Sequence, residues 1–99
     1  MAAMTTDTHN AFKQLHAASL REGALDHKTK ELIAVACSIT RLCEGCIQHH
    51  VKAGLASGMT EADLREVVDV CVLMGGGPAS TYGRKAIEAF RALAAPASA

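Results

Sequence analysis

The fold class is decided by residues 26–41, which read DHKTKELIAVACSITR. Asp26 is a residue type that often caps the N-terminus of a helix. Residues 32–37 are apolar on every side, a run that by itself would also suit a buried strand. The length of the whole segment and its charged start favour a helix, and its all-round apolar middle indicates that this helix is central.

Apolar residues at helical spacing continue on both sides of this segment and predict four further helices. Breaks are expected near Leu42 and at Gly75-Gly76-Gly77-Pro78, and Pro78 suits the first turn of the last helix. The prediction is an all-α fold, a compact bundle of about five helices that forms a single domain over residues 1–99. The expected helices cover about residues 8–22, 26–41, 43–57, 60–74 and 78–93.

Composition restricts the compartment and the classes of partner. Ten Lys and Arg residues balance ten Asp and Glu residues, so no basic surface for nucleic acid or for a membrane is expected. The longest apolar run, residues 32–37, is too short to span a bilayer, and the first 25 residues lack the apolar core of a signal peptide. We therefore expect a cytoplasmic protein. In that compartment a Cys-x-x-Cys pair is catalytic or metal-binding more often than structural.

Small size also indicates self-association. Hydrophobic residues make up 49% of the chain, yet only three residues are aromatic. A chain of 99 residues buries a limited share of its surface. Apolar faces left over from the core then usually contact a partner subunit, so we expect a homo-oligomer.

Four residues of chemically reactive types are spaced as Glu31-x11-Cys43-x2-Cys46-x3-His50. Residues three or four positions apart share one face of a helix, so both thiols and the imidazole can line one edge of the third helix. Glu31, on the preceding helix, could orient His50 or stabilise its charge. These four are the predicted catalytic residues, and neither a cofactor nor a metal is expected.

The chemistry expected of this group is thiol oxidation. A free thiol is mostly protonated at neutral pH, but a position in the first turn of a helix favours the thiolate, and His50 can accept the proton. Attack on a hydroperoxide leaves a sulfenic acid, the second cysteine condenses with it to a disulfide, and a dithiol reductant restores the pair. We expect Cys46, beside His50 and more shielded, to attack the peroxide. Cys43, at the helix tip and more accessible, would then be the resolving thiol.

A zinc site is the alternative interpretation of the same cysteines. Cys43 and Cys46 could supply half of such a site, with His49 or His50 as a third ligand. A structural tetrahedral site needs a fourth ligand, and the sequence has no second Cys-x-x-Cys and no pair of histidines four apart. Redox chemistry is therefore the favoured interpretation.

The remaining cysteines and histidines are expected to have structural or surface positions. Cys37 and Cys71 fall in apolar stripes and are predicted to pack in the core as small hydrophobic residues. Met74, at helical spacing from Leu64 and Cys71, is also predicted to pack. His16 and His27 belong to no recognised pattern and are predicted at the surface. His49 points away from the face that Cys46 and His50 share, so it is expected to face solvent.

The spacing of the reactive residues resembles the peroxidase motif of the carboxymuconolactone decarboxylase family, in its branch similar to the alkylhydroperoxidase AhpD. Residues 23–34 resemble the helix before that motif, and residues 74–79 resemble the turn that follows it. The likeness covers about residues 12–93. The Glu-x11-Cys-x2-Cys-x3-His pattern of the family is matched at Glu31, Cys43, Cys46 and His50.

The resemblance implies all-α subunits that assemble as homo-trimers or homo-hexamers and reduce alkyl hydroperoxides with peroxiredoxin-like activity. It also implies a dithiol reductant, which in AhpD is a dihydrolipoyl group on a carrier protein. The predicted function is therefore thiol-dependent hydroperoxide reduction. One alternative is a lactone decarboxylase-like enzyme, although the family's name-giving decarboxylases lack the cysteine pair. Another is a non-enzymatic module for metal binding or assembly.

Overall fold

The computed structural model describes residues 3–95, and within that range it contains α-helices and no strand. The all-α prediction is confirmed. The helices are α1 (Thr6–Ser19), α2 (His27–Thr40), α3 (Glu44–Ala56) and α4 (Glu61–Ala94). Of these, α2, α3 and α4 pack against one another.

Side chains cap the N-termini of α2 and α4. The Asp26 carboxylate accepts a hydrogen bond from the Thr29 backbone N–H at 2.7 Å, at the start of α2. Thr60 and Asp63 form a reciprocal capping box at the start of α4, with hydrogen bonds of 3.0 and 3.1 Å. Each cap satisfies backbone N–H groups that the first turn of a helix leaves free, and so sets where the helix begins.

A sharp kink divides α4 at the predicted break. Gly76 has φ 70° and ψ −148°, which lies outside the helical region, and glycine adopts this conformation more readily than other residues. The two halves of α4 fold back on each other. An ion pair joins Glu61 near the start of α4 to Arg91 near its end, with 2.9 Å between Oε1 and Nε. The halves correspond to the fourth and fifth helices of the sequence prediction.

The core lies between α2, α3 and the two halves of α4. Its aliphatic residues come from all three helices, and Phe90 is its one buried aromatic residue among those described. Within the described chain, α1 contributes no buried residue. The core residues are Val35, Ile39, Ile47, Val51, Met59, Leu64, Cys71, Ala79, Ala86, Ala89 and Phe90.

Two of the packing predictions are wrong for parts of α2 and α4. Cys71 is buried as expected, but the Cys37 thiol is exposed on the outer face of α2. Met74 was expected to pack and is 77% exposed, beside the equally exposed Leu73. Helical periodicity groups these residues with core positions, but no other described helix covers the faces on which they lie. None of the described helices combines the length and the apolar character needed to cross a membrane.

Candidate active site

A tight connection between α2 and α3 sets the geometry of the reactive residues. Leu42 has a positive φ of 56°, which costs a residue with a Cβ roughly 1–2 kcal/mol. The turn is held by backbone hydrogen bonds from Leu42 N–H to the Ile39 carbonyl at 3.1 Å and from Cys43 N–H to the Ser38 carbonyl at 3.0 Å. The connection turns the chain so that α3 packs directly against α2.

This packing brings Glu31 of α2 to His50 of α3. The His50 Nδ1 atom lies 2.8 Å from Glu31 Oε1, and the Glu31 side chain is 1% exposed. Because a carboxylate can only accept, this contact is a hydrogen bond donated by His50 Nδ1–H. The lone pair of the neutral imidazole is then on Nε2, so the buried carboxylate fixes His50 in the tautomer of a base.

The second oxygen of Glu31 contacts a residue that sequence reasoning placed at the surface. His27 Nε2 lies 3.3 Å from Glu31 Oε2, while His27 Nδ1 lies 2.7 Å from the Leu20 carbonyl. The carbonyl requires a proton on His27 Nδ1. His27 therefore places its other ring nitrogen within ion-pair distance of the buried acid. The four-residue spacing between His27 and Glu31 could have indicated this pair.

The two motif cysteines form a disulfide at the start of α3, with 5.3 Å between their Cα atoms. Cys43 is the N-cap residue, and the Cys46 backbone N–H points at its sulfur at 3.3 Å. In the reduced protein, a thiolate at Cys43 would benefit from that N–H and from the positive end of the helix dipole. The zinc alternative needs these sulfurs as separate thiolates, whereas in this structure they are bonded to each other.

The relative exposure of the cysteines is the reverse of the sequence prediction. Cys46 is exposed, whereas Cys43 is half-buried. The cause is the N-cap position, which folds the Cys43 side chain over the first turn of α3 and leaves Cys46 facing outward on the next turn.

Cys46 and His50 open onto the same cleft, which has a volume of about 440 Å³. The cleft lies between α1 and α3, and the Phe12 ring lines its α1 side. One small molecule can therefore reach both Cys46 and His50, and the buried Glu31 lies behind His50. The lining residues are Phe12, Lys13, His16, Gly45, Cys46, His49 and His50.

Three histidines converge in this cleft, which the sequence did not predict. His16 Nε2 of α1 lies 3.0 Å from His49 Nε2 of α3, and the His16 ring stacks on the His50 ring with a centroid distance of 5.8 Å. Burial, with the neighbouring His50 and His16 as lesser causes, lowers the pKa of His49 below its usual range. Among the described residues this cluster is the group that could hold a metal ion. His16 is 33 positions from His49, so no local pattern connects them.

Comparison with known proteins identifies relatives for most of the chain. A family model described as the carboxymuconolactone decarboxylase family matches residues 6–89. An uncharacterized protein of Cupriavidus necator is 37% identical over 84 residues, which cover 85% of this chain and 74% of that protein.

Solved structures agree with the family match. The apo crystal structure of a carboxymuconolactone decarboxylase family protein from Legionella pneumophila superposes with a TM-score of 0.88 at 38% identity, covering 90% of this chain and 80% of that one. A family member from Thermotoga maritima, described with a suggested involvement in antioxidative response, has a TM-score of 0.82 at 29% identity and covers 91% and 93% of the two chains.

Proposed function

Since the chain belongs to the carboxymuconolactone decarboxylase family, we propose that it is a thiol-dependent hydroperoxide reductase of the AhpD type. One observation carries the proposal. Cys46, with Cys43 as its disulfide partner, shares a cleft with His50, and the buried Glu31 holds His50 through Nδ1. Nucleophile, resolving thiol, base and orienting acid are the parts that this chemistry requires.

The first half of the proposed reaction oxidises Cys46. His50 Nε2 takes the thiol proton, and the Cys46 thiolate attacks the terminal oxygen of the hydroperoxide as the O–O bond breaks. The leaving alkoxide receives the proton from His50 and departs as an alcohol, which leaves a sulfenic acid on Cys46. Glu31 stabilises the imidazolium that exists between these proton transfers.

The second half restores the dithiol. Cys43 attacks the Cys46 sulfur and expels hydroxide, which leaves as water once it takes the Cys43 proton, and the disulfide forms. A dithiol reductant then attacks the exposed Cys46 sulfur and releases Cys43, whose thiolate is the better leaving group because α3 stabilises it. The second thiol of the reductant then attacks the mixed disulfide and releases the Cys46 thiolate, so the reductant ends as a disulfide. The net reaction converts one hydroperoxide and one dithiol into one alcohol, one water and one disulfide.

The reductant is proposed as a class and not as a named protein. Exchange at Cys46 requires a thiol that can enter a cleft of about 440 Å³. A dithiol on a flexible arm, such as a dihydrolipoyl group on a carrier protein, meets that requirement.

We further propose that the active form is a homo-oligomer, a trimer or a hexamer. Several large apolar side chains near the kink of α4 are exposed on the single chain, among them Val70, Leu73 and Met74. The α1 helix has no buried residue of its own among those described. Contiguous exposed apolar surface of this kind is typical of subunit interfaces. Analytical ultracentrifugation of the purified protein measures the subunit number, and a monomer at micromolar concentration would contradict this proposal.

Mass spectrometry and variant kinetics test the proposed reaction. After one equivalent of an organic hydroperoxide, the reduced protein is expected to lose two hydrogens, confined to the peptide that holds Cys43 and Cys46. Cys46→Ser should abolish peroxide consumption. Cys37→Ser is the matched control, since Cys37 is also an exposed thiol but lies outside the cleft. Equal losses in the two variants, or turnover of the family's lactone without any thiol oxidation, would refute the proposal.

A further inference from the structure

The three histidines of the cleft are arranged as ligands around a common point. One ring nitrogen from each of His16, His49 and His50 lies within 4.8 Å of the others. Tetrahedral zinc with Zn–N bonds of about 2.0–2.1 Å separates its ligand nitrogens by roughly 3.3–3.4 Å. The observed 3.0 Å between His16 Nε2 and His49 Nε2 is close to that separation. Small side-chain rotations would therefore complete the set.

The His50 ring is oriented for such a role. Its Nδ1–H is donated to the buried Glu31 at 2.8 Å, so Nε2 is the nitrogen left to face the cleft. A carboxylate that accepts from the far nitrogen of a histidine is the usual outer partner of a metal-binding imidazole. It fixes the tautomer and makes the ligand nitrogen more basic. The Nε2 atoms of His16 and His49 face each other directly at 3.0 Å.

We infer that His16, His49 and His50 form a binding site for a divalent transition-metal ion, with Zn²⁺ as the probe that defines it. The donor set is three imidazoles, which suits Zn²⁺, Cu²⁺, Ni²⁺ and Fe²⁺ rather than Mg²⁺ or Ca²⁺. Three protein ligands leave at least one coordination position open toward the cleft, as in zinc sites that exchange a water.

The site differs from the zinc alternative considered from the sequence, because its ligands are histidines from two helices and not the Cys-x-x-Cys pair. It joins α1 to α3, and α1 has no buried residue among those described that would otherwise anchor it. A bound ion would also occupy His50 Nε2, the nitrogen that the proposed peroxidase reaction uses as its base. The metal site itself does not depend on that reaction.

The test is Zn²⁺ binding to tag-free protein in the disulfide form, in a Cys37→Ser background. The disulfide removes Cys43 and Cys46 as thiolate ligands, and the background removes the exposed Cys37 thiol. Titration against a chromophoric chelator is expected to give one ion per chain. Co²⁺ in place of Zn²⁺ should give the intense visible absorption of a site with fewer than six ligands.

Variants on α1 separate this site from adventitious binding. His16→Asn should weaken Zn²⁺ binding about 100-fold or more. Loss of a residue that only hydrogen-bonds to a metal ligand weakens metal affinity about 10- to 100-fold, and His16 is proposed as a ligand itself. His9→Asn is the matched control, because it removes an imidazole from the same helix outside the cluster. Circular dichroism verifies that both variants keep their helices. Absence of stoichiometric Zn²⁺ binding, or equal weakening by His16→Asn and His9→Asn, would overturn the inference.

Discussion

Replacing Glu31 by Gln isolates the charge of the buried acid from its shape. Glu31 accepts from His50 Nδ1 at 2.8 Å and lies 3.3 Å from His27 Nε2. In Glu31→Gln the amide oxygen can still accept from His50. The amide N–H can donate to His27 Nε2, because His27 can place its own proton on Nδ1, facing the Leu20 carbonyl. The hydrogen bond from His50 and the contact with His27 can both persist, while the negative charge of the acid is lost.

The cost of losing that charge can be bounded from these contacts. A hydrogen bond to a charged group contributes about 1.5–3 kcal/mol and a neutral one about 0.5–1.5 kcal/mol, so the change removes about 1–1.5 kcal/mol. An upper limit is the interaction of two unit charges about 4 Å apart at an effective dielectric constant near 20, about 4 kcal/mol. His50 is partly exposed, so solvent reduces the charge effect. Since each 1.4 kcal/mol is a factor of ten, peroxide-driven oxidation should slow at least about 5-fold, and by less than the roughly 700-fold that corresponds to the upper limit.

The assay is a single-turnover measurement. Reduced protein is mixed with a small excess of organic hydroperoxide, and the loss of free thiol at Cys43 and Cys46 is followed in time. Glu88→Gln makes the same chemical change at an exposed position outside the cleft and should leave the rate unchanged. A Glu31→Gln rate within about twofold of the wild type, in a protein with intact helices, would refute the assigned role, because the expected loss is at least about fivefold.

Two further predictions concern stability. A Cβ added at Gly83 would lie 2.6 Å from Val68 Cγ1, where the halves of α4 meet. Overpacking of this kind costs about 1–3 kcal/mol, and the higher helix propensity of Ala offsets about 1 kcal/mol of that cost. Gly83→Ala should therefore lower the free energy of unfolding by up to about 2 kcal/mol. Gly77→Ala adds its methyl to open space and should not destabilise, so equal urea midpoints for the two variants would contradict the packing. In the second prediction, the hydrogen-bonded Arg91 guanidinium lowers the pKa of Glu61 from 4.5 to about 2. The stability that the ionised Glu61 contributes is therefore complete above about pH 4.5 and is lost as the pH falls towards 2. Thermal unfolding at pH 7 and pH 3 should show a smaller loss of Tm in Glu61→Gln than in the wild type, and equal losses would exclude this contribution.

Local features of the sequence were sufficient for the helices and for the residues of the motif. Asp26 and Thr60 cap helices because a side-chain oxygen three residues from a free backbone N–H can reach it in any fold. The kink in α4 falls at Gly76 because its backbone has a positive φ, which glycine adopts readily and residues with a Cβ do not. Cys46 and His50 share a cleft because four residues make about one helical turn. These relations span a few residues, so the order of amino acids alone determines them.

Relations between helices were decided only by tertiary packing. The contact of Glu31 with His50 was expected from the family motif, yet its distance and depth depend on how α2 packs on α3. His16 reaches His49 across 33 positions, so that contact could not be derived from spacing along one helix.

Exposure follows the same division between local pattern and packing. Helical periodicity states which residues share a face, but it does not state whether another helix covers that face. Cys37 and Met74 are exposed for this reason, although their spacing matches that of core residues. Cys46 is more exposed than Cys43 because the N-cap position turns the Cys43 side chain over the helix end. The sequence therefore determined the helices, their ends and the reactive set. Burial and the histidine cluster were decided by packing, because free energy of burial depends on which surfaces meet in space.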